Sequence, residues 1–530
     1  MIIFSIIHLI LSIAFTSIKD NTIIYSRACQ LIIFCSIYLL YKTFFFFTLK
    51  NTIPLFNGTI KYDLYNDIFS FFILFIAFFI FLLTSFYPIA IYVTNLNKGL
   101  NSIVFNKIIQ QFKITEYCLL LLFILSGALF LMINNDLISL FLALELQSYG
   151  LYLLSTIYKD SENSTKAGLT YFLLGGLSSC IILLGLSLLY INLGNTSLEN
   201  IYIIYDLSNQ LINIDNNINY LYIYYNSNYI DMTLVIITIG LLFKISGAPF
   251  HFWSPDVYDN VPTIITTSIA ILAKISILIV ILEFSLFLND SYSSTNWMNN
   301  ILVSSLLSLV IGSVLGLTQS RIKRLFAYST ISHLGFLLLA LSVNTVESIQ
   351  AFMFYLIQYS FSNLGAFIIL ISIGYALMSN ISKNEQIKNL KDRNNSPIQL
   401  ISQLKGLFSI NPLLAISLSI VIFSFLGAPP LMGFFGKQMV LGASLDKGYV
   451  FMTLVGILTS VISGVYYLAI NKNIFFDESV YSTDKEEIET KSLISLSSSI
   501  TIIISIITIL ITTFMFIPSI NLYLFNFLMI

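Results

Sequence analysis

Stretches of about 20 predominantly apolar residues, each long enough to cross a bilayer core as a helix, recur along almost the whole chain. They fall near 2–18, 30–48, 67–93, 115–133, 136–158, 167–192, 231–250, 262–285, 300–318, 324–343, 349–379, 412–445, 450–471 and 493–525, fourteen in all. Only 10% of the 530 residues are charged, where a soluble domain carries about 25%. Lipid is the one solvent that fits such a chain, and the expected fold class is an all-α polytopic membrane protein of about 14 transmembrane helices. The remaining segments are few. Residues 193–230 (rich in Tyr and Asn), 380–411 (basic) and 477–491 (mostly acidic) are expected to be solvated connectors.

Lys and Arg mark the side of the membrane on which the chain is made. The loops that follow odd-numbered spans hold 18 of the 25 basic residues, and the even-numbered loops hold 3. Four lysines remain inside spans: Lys42, Lys244, Lys274 and Lys437. Adding or dropping a span in the middle would destroy this asymmetry. The count of fourteen therefore stands, and both termini are expected on the side opposite the basic loops. Met1–Ser17 lacks a basic leader and a small-residue cleavage site, so a retained helix is expected there rather than a signal peptide.

Other function classes recede on the same reading. A net charge of −1 gives no basic field for nucleic acid. Cys29, Cys35, Cys118 and Cys180 have no CxxC spacing and read as small core residues. Three scattered histidines, His8, His251 and His333, do not supply paired haem or metal ligands. No glycine-rich phosphate loop opens a helix.

Two features point to transport. Gly-Ala-Pro occurs twice, at Gly247–Pro249 and Gly427–Pro429, each late in a long apolar run. Gly and Pro interrupt the helical ladder, and irregular backbone at membrane depth persists only where protein or water satisfies it. Matching interrupted helices in two halves of a chain mark the binding region of many transporters. Helix 7 is thus expected to break near Ser246–Pro249 and helix 12 near Gly427–Pro430.

The second feature is buried charge. Glu145 lies nine residues past Asp136, Lys244 thirteen past Asp231, and Lys274 twelve past Pro262. At 1.5 Å per residue these are roughly 13, 20 and 18 Å into the membrane. Lys437 follows the second break by seven residues. Each such charge costs about 2.5–3.5 kcal/mol on insertion scales, so each is either half of a structural ion pair or a proton relay. Lysine suits relay work: a dry surrounding disfavours its charged form, and a nearby carboxylate restores it. Lys42 and Glu283 lie nearer span ends, where snorkelling suffices. His333 either relays a proton or hydrogen-bonds a backbone carbonyl.

The segments LFLALELQSYGLYLL (141–155), KISGAPFHFWSPDVYDNVPT (244–263), IKRLFAYSTISHLGFLLLAL (322–341) and GAPPLMGFFGKQMVL (427–441) resemble the subunit 2 family of mitochondrial NADH:ubiquinone oxidoreductase, respiratory complex I, related to bacterial subunit N and to Mrp-type cation/proton antiporters. The resemblance spans about 300 residues. It implies two inverted five-helix repeats, helices 4–8 and 9–13, with broken helices 7 and 12. The corresponding division of the chain is residues 1–113, a first repeat over 114–286, a second over 287–472, and a closing segment over 473–530. The family's helix-5 glutamate falls on Glu145, and its helix-7, helix-8 and helix-12 lysines fall on Lys244, Lys274 and Lys437. With His333 these five are the candidate proton-relay residues. No cofactor is implied in this chain. The implied partners are the other membrane-arm subunits of complex I and the lipid bilayer, with protons and water as substrate and no nucleic acid. The implied location is the mitochondrial inner membrane, basic loops on the matrix side and both termini on the intermembrane-space side. A free-standing antiporter and a non-pumping structural subunit are the rivals.

Overall fold

The computed structural model describes residues 2–15, 22–46, 53–85, 116–158, 161–205, 227–287, 296–378, 396, 398–478 and 498–514. Its main helices are α1 (Ile2–Phe15), α2 (Thr22–Phe46), α3 (Leu64–Ser85), α4 (Glu116–Ile133), α5 (Leu137–Ser155), α6 (Glu162–Leu193), α7 (Ser227–Ile245), α8 (Trp253–Asn260), α9 (Thr263–Phe287), α10 (Asn296–Leu317), α11 (Ile322–Val343), α12 (Val346–Met378), α13 (Pro412–Leu426), α14 (Met432–Asp446), α15 (Val450–Phe475) and α16 (Ser498–Thr513). Nine helices among the described residues are long and apolar enough to cross a membrane. Each apolar stretch read from the sequence overlaps a helix, the twelfth overlaps a pair of half-helices, and the seventh ends just before the second half of its own pair, α8.

The packing is that of a protein in lipid. The core is apolar, yet the outer helices also expose Leu169, Phe172 and Ile191 of α6 and Val461, Val465 and Leu468 of α15. A soluble surface would not tolerate such continuous apolar faces. Hydroxyls inside the helices bond back to their own backbone, as Ser126 does to the Phe123 carbonyl at 2.8 Å and Ser178 to Gly175 at 2.6 Å. Lipid offers them no other acceptor. Glycine allows close helix approach: a Cβ on Gly240 of α7 would sit 2.4 Å from Ile182 of α6. At the centre stands α11, buried at every residue but Arg324.

The described connections gather at two ends of the bundle. At one end a hairpin, β1 (Ile53–Leu55) with β2 (Ile60–Tyr62), docks on the α4–α5 connection, where the Asn135 amide donates to the Thr59 carbonyl at 3.0 Å. The Leu137 amide there donates to Thr196 at 2.9 Å, which draws in the segment after α6. Lys61 of the hairpin pairs with Asp63 at 3.0 Å and Glu199 at 3.2 Å. Burial opposes its charge, but those carboxylates outweigh it and raise its pKa above the ordinary value. At the other end, Arg321 bridges to Leu400 and its side chain to Asp259.

Several details differ from the sequence reading. Residues 198–205 are helical, not loop. The helix resumes at Trp253–Asn260 where a connector was expected, because Trp253, Val257 and Tyr258 bury one face of an otherwise polar octapeptide. Asp231, expected at a span edge, is 4% exposed and accepts a hydrogen bond from Tyr205 at 3.0 Å. Lys323, counted with the solvated loops, is fully buried in the first turn of α11. Cys29 and Cys118 are buried, but Cys35 and Cys180 are exposed, and all four are free. The side chain of Lys42, most of 380–411 and residues 479–491 lie outside the described residues.

Candidate functional site

Both interruptions fall where the Gly-Ala-Pro motifs place them. The first occupies 246–252, between α7 and α8, and the second 427–431, between α13 and α14. Each opens with a residue in the left-handed region, Ser246 at φ 62° and Gly427 at φ 85°. Glycine takes this conformation freely, whereas serine does so at a cost of about 1–2 kcal/mol. The terminal turns are closed by the Gly247 amide on the Leu242 carbonyl, 2.8 Å, and the Ala428 amide on Phe423, 3.1 Å. The Trp253 indole caps a further carbonyl, Phe243, at 2.9 Å.

The candidate residues cluster around these breaks. Lys244, in the last turn of α7, donates to Glu145 of α5 at 2.8 Å, with side chains 6% and 13% exposed. Two residues on, the Ser246 hydroxyl accepts from Lys274 of α9 at 3.0 Å, and Thr330 of α11 accepts from the same ammonium at 3.2 Å. The Tyr258 ring of α8 lies 5.4 Å from Lys274 Nζ, a cation–π placement. Lys274 is 1% exposed, so the charge that the sequence placed in mid-membrane rests on neutral oxygens and a ring.

One turn beyond Thr330, His333 bridges two tyrosines. Its Nδ1 lies 2.7 Å from Tyr355 Oη of α12, and its Nε2 lies 3.3 Å from Tyr467 Oη of α15. The backbone-carbonyl alternative for His333 is thus not what the fold uses. Lys437 of α14 donates to the carbonyls of Phe425 and Leu426, at 3.0 and 2.8 Å. These are orphan acceptors at the C-terminal, negative end of α13. Phe336 of α11 faces the same ammonium at 5.5 Å, and the ring of Phe425, whose carbonyl that ammonium meets, lies 5.2 Å from the His333 ring.

The five residues therefore form two neighbouring groups, Glu145–Lys244 with Lys274, and His333 with Lys437, linked by α11. No direct hydrogen bond joins Thr330 to His333, or His333 to Lys437, among the described residues. Water is the chemistry that fits such gaps. Beside Lys244 a cavity of about 20 Å³ is lined by Gln147, Ser148, Tyr152, Tyr171 and Ser178. Leu144, Leu151, Phe243 and Ile277 complete a mostly apolar wall, and the space is about that of one water molecule. Gln147 also pairs with Ser276 of α9 at 3.0 Å.

Sequence reasoning missed Ser246, Thr330, Tyr258, Tyr355 and Tyr467. Three of them lie inside the motif segments already singled out, 244–263 and 322–341. No ordinary signal separates such hydroxyls from the many others that bond their own helix. Among the described residues there is no group of three or more His, Cys, Asp or Glu able to hold a metal ion.

The profile of the NADH:quinone oxidoreductase/Mrp antiporter transmembrane family matches residues 134–463, which contain both breaks and all five candidates. The chain belongs to this family. Among its relatives is NADH-ubiquinone oxidoreductase chain 2 of Rhizopus oryzae, 42% identical over 536 residues, covering 98% of this chain and 97% of that one. NADH-quinone oxidoreductase subunit N of Paramagnetospirillum magneticum is 34% identical over 406 residues, 76% of this chain and 75% of that one. Among solved structures, a chain of respiratory complex I from Thermus thermophilus with bound aureothin superposes with a TM-score of 0.69 at 23% identity, covering 98% of this chain and 96% of that one. The antiporter-like fold is therefore common to this family member and that complex.

Proposed function

We propose that this chain is a proton-translocating membrane-arm subunit of respiratory complex I, NADH:ubiquinone oxidoreductase, in the mitochondrial inner membrane. NADH oxidation and quinone reduction take place in other subunits, and this chain moves protons in response. Its near full-length relation to chain 2 of Rhizopus oryzae favours this reading over a free-standing antiporter. It contacts other membrane-arm subunits and holds no redox centre of its own.

We further read the chain as fourteen spans, α7 with α8 and α13 with α14 each forming one broken span. Spans 4–8 (114–286) and 9–13 (287–472) are the inverted repeats, flanked by 1–113 and 473–530. The grouping of even loops at one end of the bundle and odd loops at the other supports that count. The basic end faces the matrix and both termini face the intermembrane space.

The observation that carries the mechanism is the passage from the Glu145–Lys244 pair, across the break at Ser246, to Lys274. A lysine beside a carboxylate keeps its proton, and one in dry surroundings releases it. Making and breaking the Glu145–Lys244 contact thus alters which amine is charged. The hydroxyls of Ser246 and Thr330 steady Lys274 when it carries a proton. His333, held between Tyr355 and Tyr467, accepts or donates at either ring nitrogen and stands between the two groups. Lys437 at the end of α13 is the amine of the second repeat.

The test is Lys274→Ala and, separately, Lys437→Ala in assembled complex I reconstituted into vesicles. Protons moved per NADH oxidised should fall while assembly persists. Native stoichiometry and turnover in both variants would remove the relay. Impermeant maleimide on a cysteine placed at the exposed position Ser320 should react from the matrix side. Reaction from the other side would reverse the orientation.

A further inference from the structure

The half-helix α8 is held at its far end by a set of contacts that the proton relay does not use. Asp259 Oδ2 accepts from Arg321 Nη1 at 2.6 Å, and the Asp259 side chain is only 7% exposed. Its other oxygen, Oδ1, is buried with no hydrogen-bond partner among the described residues. Lys323 is fully buried, and its ammonium donates to the Val261 carbonyl, just past α8, at 2.7 Å and to Ser396 at 2.8 Å. Arg324 meets Asp256 at 3.0 Å, but both of these are exposed, and such a pair adds little.

The geometry ties this clamp to Lys274. Tyr258, whose ring faces the Lys274 ammonium, is the immediate neighbour of Asp259. Thr330, which accepts from Lys274, is seven residues past Lys323 on α11. Seven residues are two helical turns, so Lys323 and Thr330 lie on one face of α11, roughly 10 Å apart. One rigid helix thus grips the end of α8 at one point and Lys274 at another. The register of α8 against α11 decides where the Tyr258 ring stands relative to the amine.

We infer that Asp259, Arg321 and Lys323 are positioning residues for proton transfer at Lys274, acting by locking α8 to the head of α11. The inference rests on the proposed role of Lys274. A merely structural clamp would alter how much complex assembles, and not the protons moved per NADH by each assembled complex. Asp259→Asn, Arg321→Gln and the exchange Asp259→Arg with Arg321→Asp separate the two.

Each is placed in full complex I together with Val261→Cys as a reporter, and two quantities are read. One is protons moved per NADH in vesicles. The other is the rate of maleimide labelling at position 261, where the native side chain is buried. The single variants should assemble, label about tenfold faster, the factor given by about 1.4 kcal/mol less resistance to local opening, and move fewer protons per NADH. The charge exchange should restore both readings. Faster labelling with native stoichiometry would overturn the inference, as would native labelling in the single variants. Loss of assembly in all three would also overturn it, because the residues would then hold the fold and not the pocket. Asp259→Glu, which keeps the charge but lengthens its arm, gives the same two readings if a neutral variant fails to assemble. Lys274→Ala in parallel isolates the premise: if it pumps normally the relay fails, whereas the labelling rates still report on the clamp.

Discussion

Replacing Glu145 with Gln keeps the size and the hydrogen-bonding oxygen but removes the charge opposite Lys244. The pair is 2.8 Å apart and no more than 13% exposed on either side. At an effective dielectric of about 20 the gross attraction is about 6 kcal/mol. Both charges gave up water to make it, so the measurable quantity is the cost of orphaning one partner, about 3–5 kcal/mol. The amide oxygen of Gln still accepts from the ammonium, which places the expected loss near the lower end, about 3 kcal/mol. At about 1.4 kcal/mol per tenfold, that is roughly a hundredfold change in how readily the charged and neutral arrangements interchange. A survivor that can change its protonation state escapes part of the penalty, so assembly should survive while transport suffers. The assay is proton uptake per NADH in vesicles, with assembled complex quantified on native gels. Lys244→Met should behave alike, and the double variant should be less impaired than the two single losses combined, because each removes the same contact. Full stoichiometry and turnover in Glu145→Gln would show that the pair only seals the bundle, and the relay assignment would fail with it.

Gly433→Ala should sharply reduce assembled complex on native gels, because the new Cβ would stand 1.8 Å from the Ser424 carbonyl of α13, a backbone clash that side-chain rotation cannot relieve. Tyr355→Phe should assemble normally yet slow proton-coupled turnover several-fold, since it removes the 2.7 Å partner of His333 and leaves that nitrogen buried. Ser246→Ala should lower protons per NADH less than Lys274→Ala does, because Thr330 remains as an acceptor at 3.2 Å; equal loss in the two would show that the serine does more than steady the amine.

Helix positions were legible because hydropathy in lipid is a nearly one-dimensional property. A run is apolar enough to enter the bilayer or it is not, and the 18-to-3 division of basic residues is what argues for fourteen runs and not one more or fewer in the middle of the chain. The breaks were legible for a local reason, the shared Gly-Ala-Pro. The site was half legible. Glu145, Lys244, Lys274 and Lys437 stand out because charge at membrane depth is costly. Their neutral partners do not, since Ser246 and Thr330 look like any hydroxyl in a helix until the third dimension brings Lys274 to them. Lys323 shows the converse error. Two residues from an exposed arginine it read as solvated, yet in the fold its ammonium meets Val261 and Ser396. The order of lysine and break was legible too: Lys244 precedes the first interruption and Lys437 follows the second, as the residue spacing already places them.

The central position of α11 has a consequence for how the protein is made. Its middle carries Ser329, Thr330, Ser332 and His333, all buried in the finished bundle. The residues that finally meet this polar patch include Tyr355 of α12 and Tyr467 of α15, which the ribosome supplies later. Hydrophobic thickness is no obstacle for α11, but until those helices arrive its histidine lacks both of its hydrogen-bond partners. α11 is thus synthesised after α8, α9 and α10, which pack against it, but before the helices that supply the partners of His333. Retention of α11 at the insertase until α15 emerges, read by crosslinking from position 333 in stalled nascent chains, is the behaviour this order of synthesis demands.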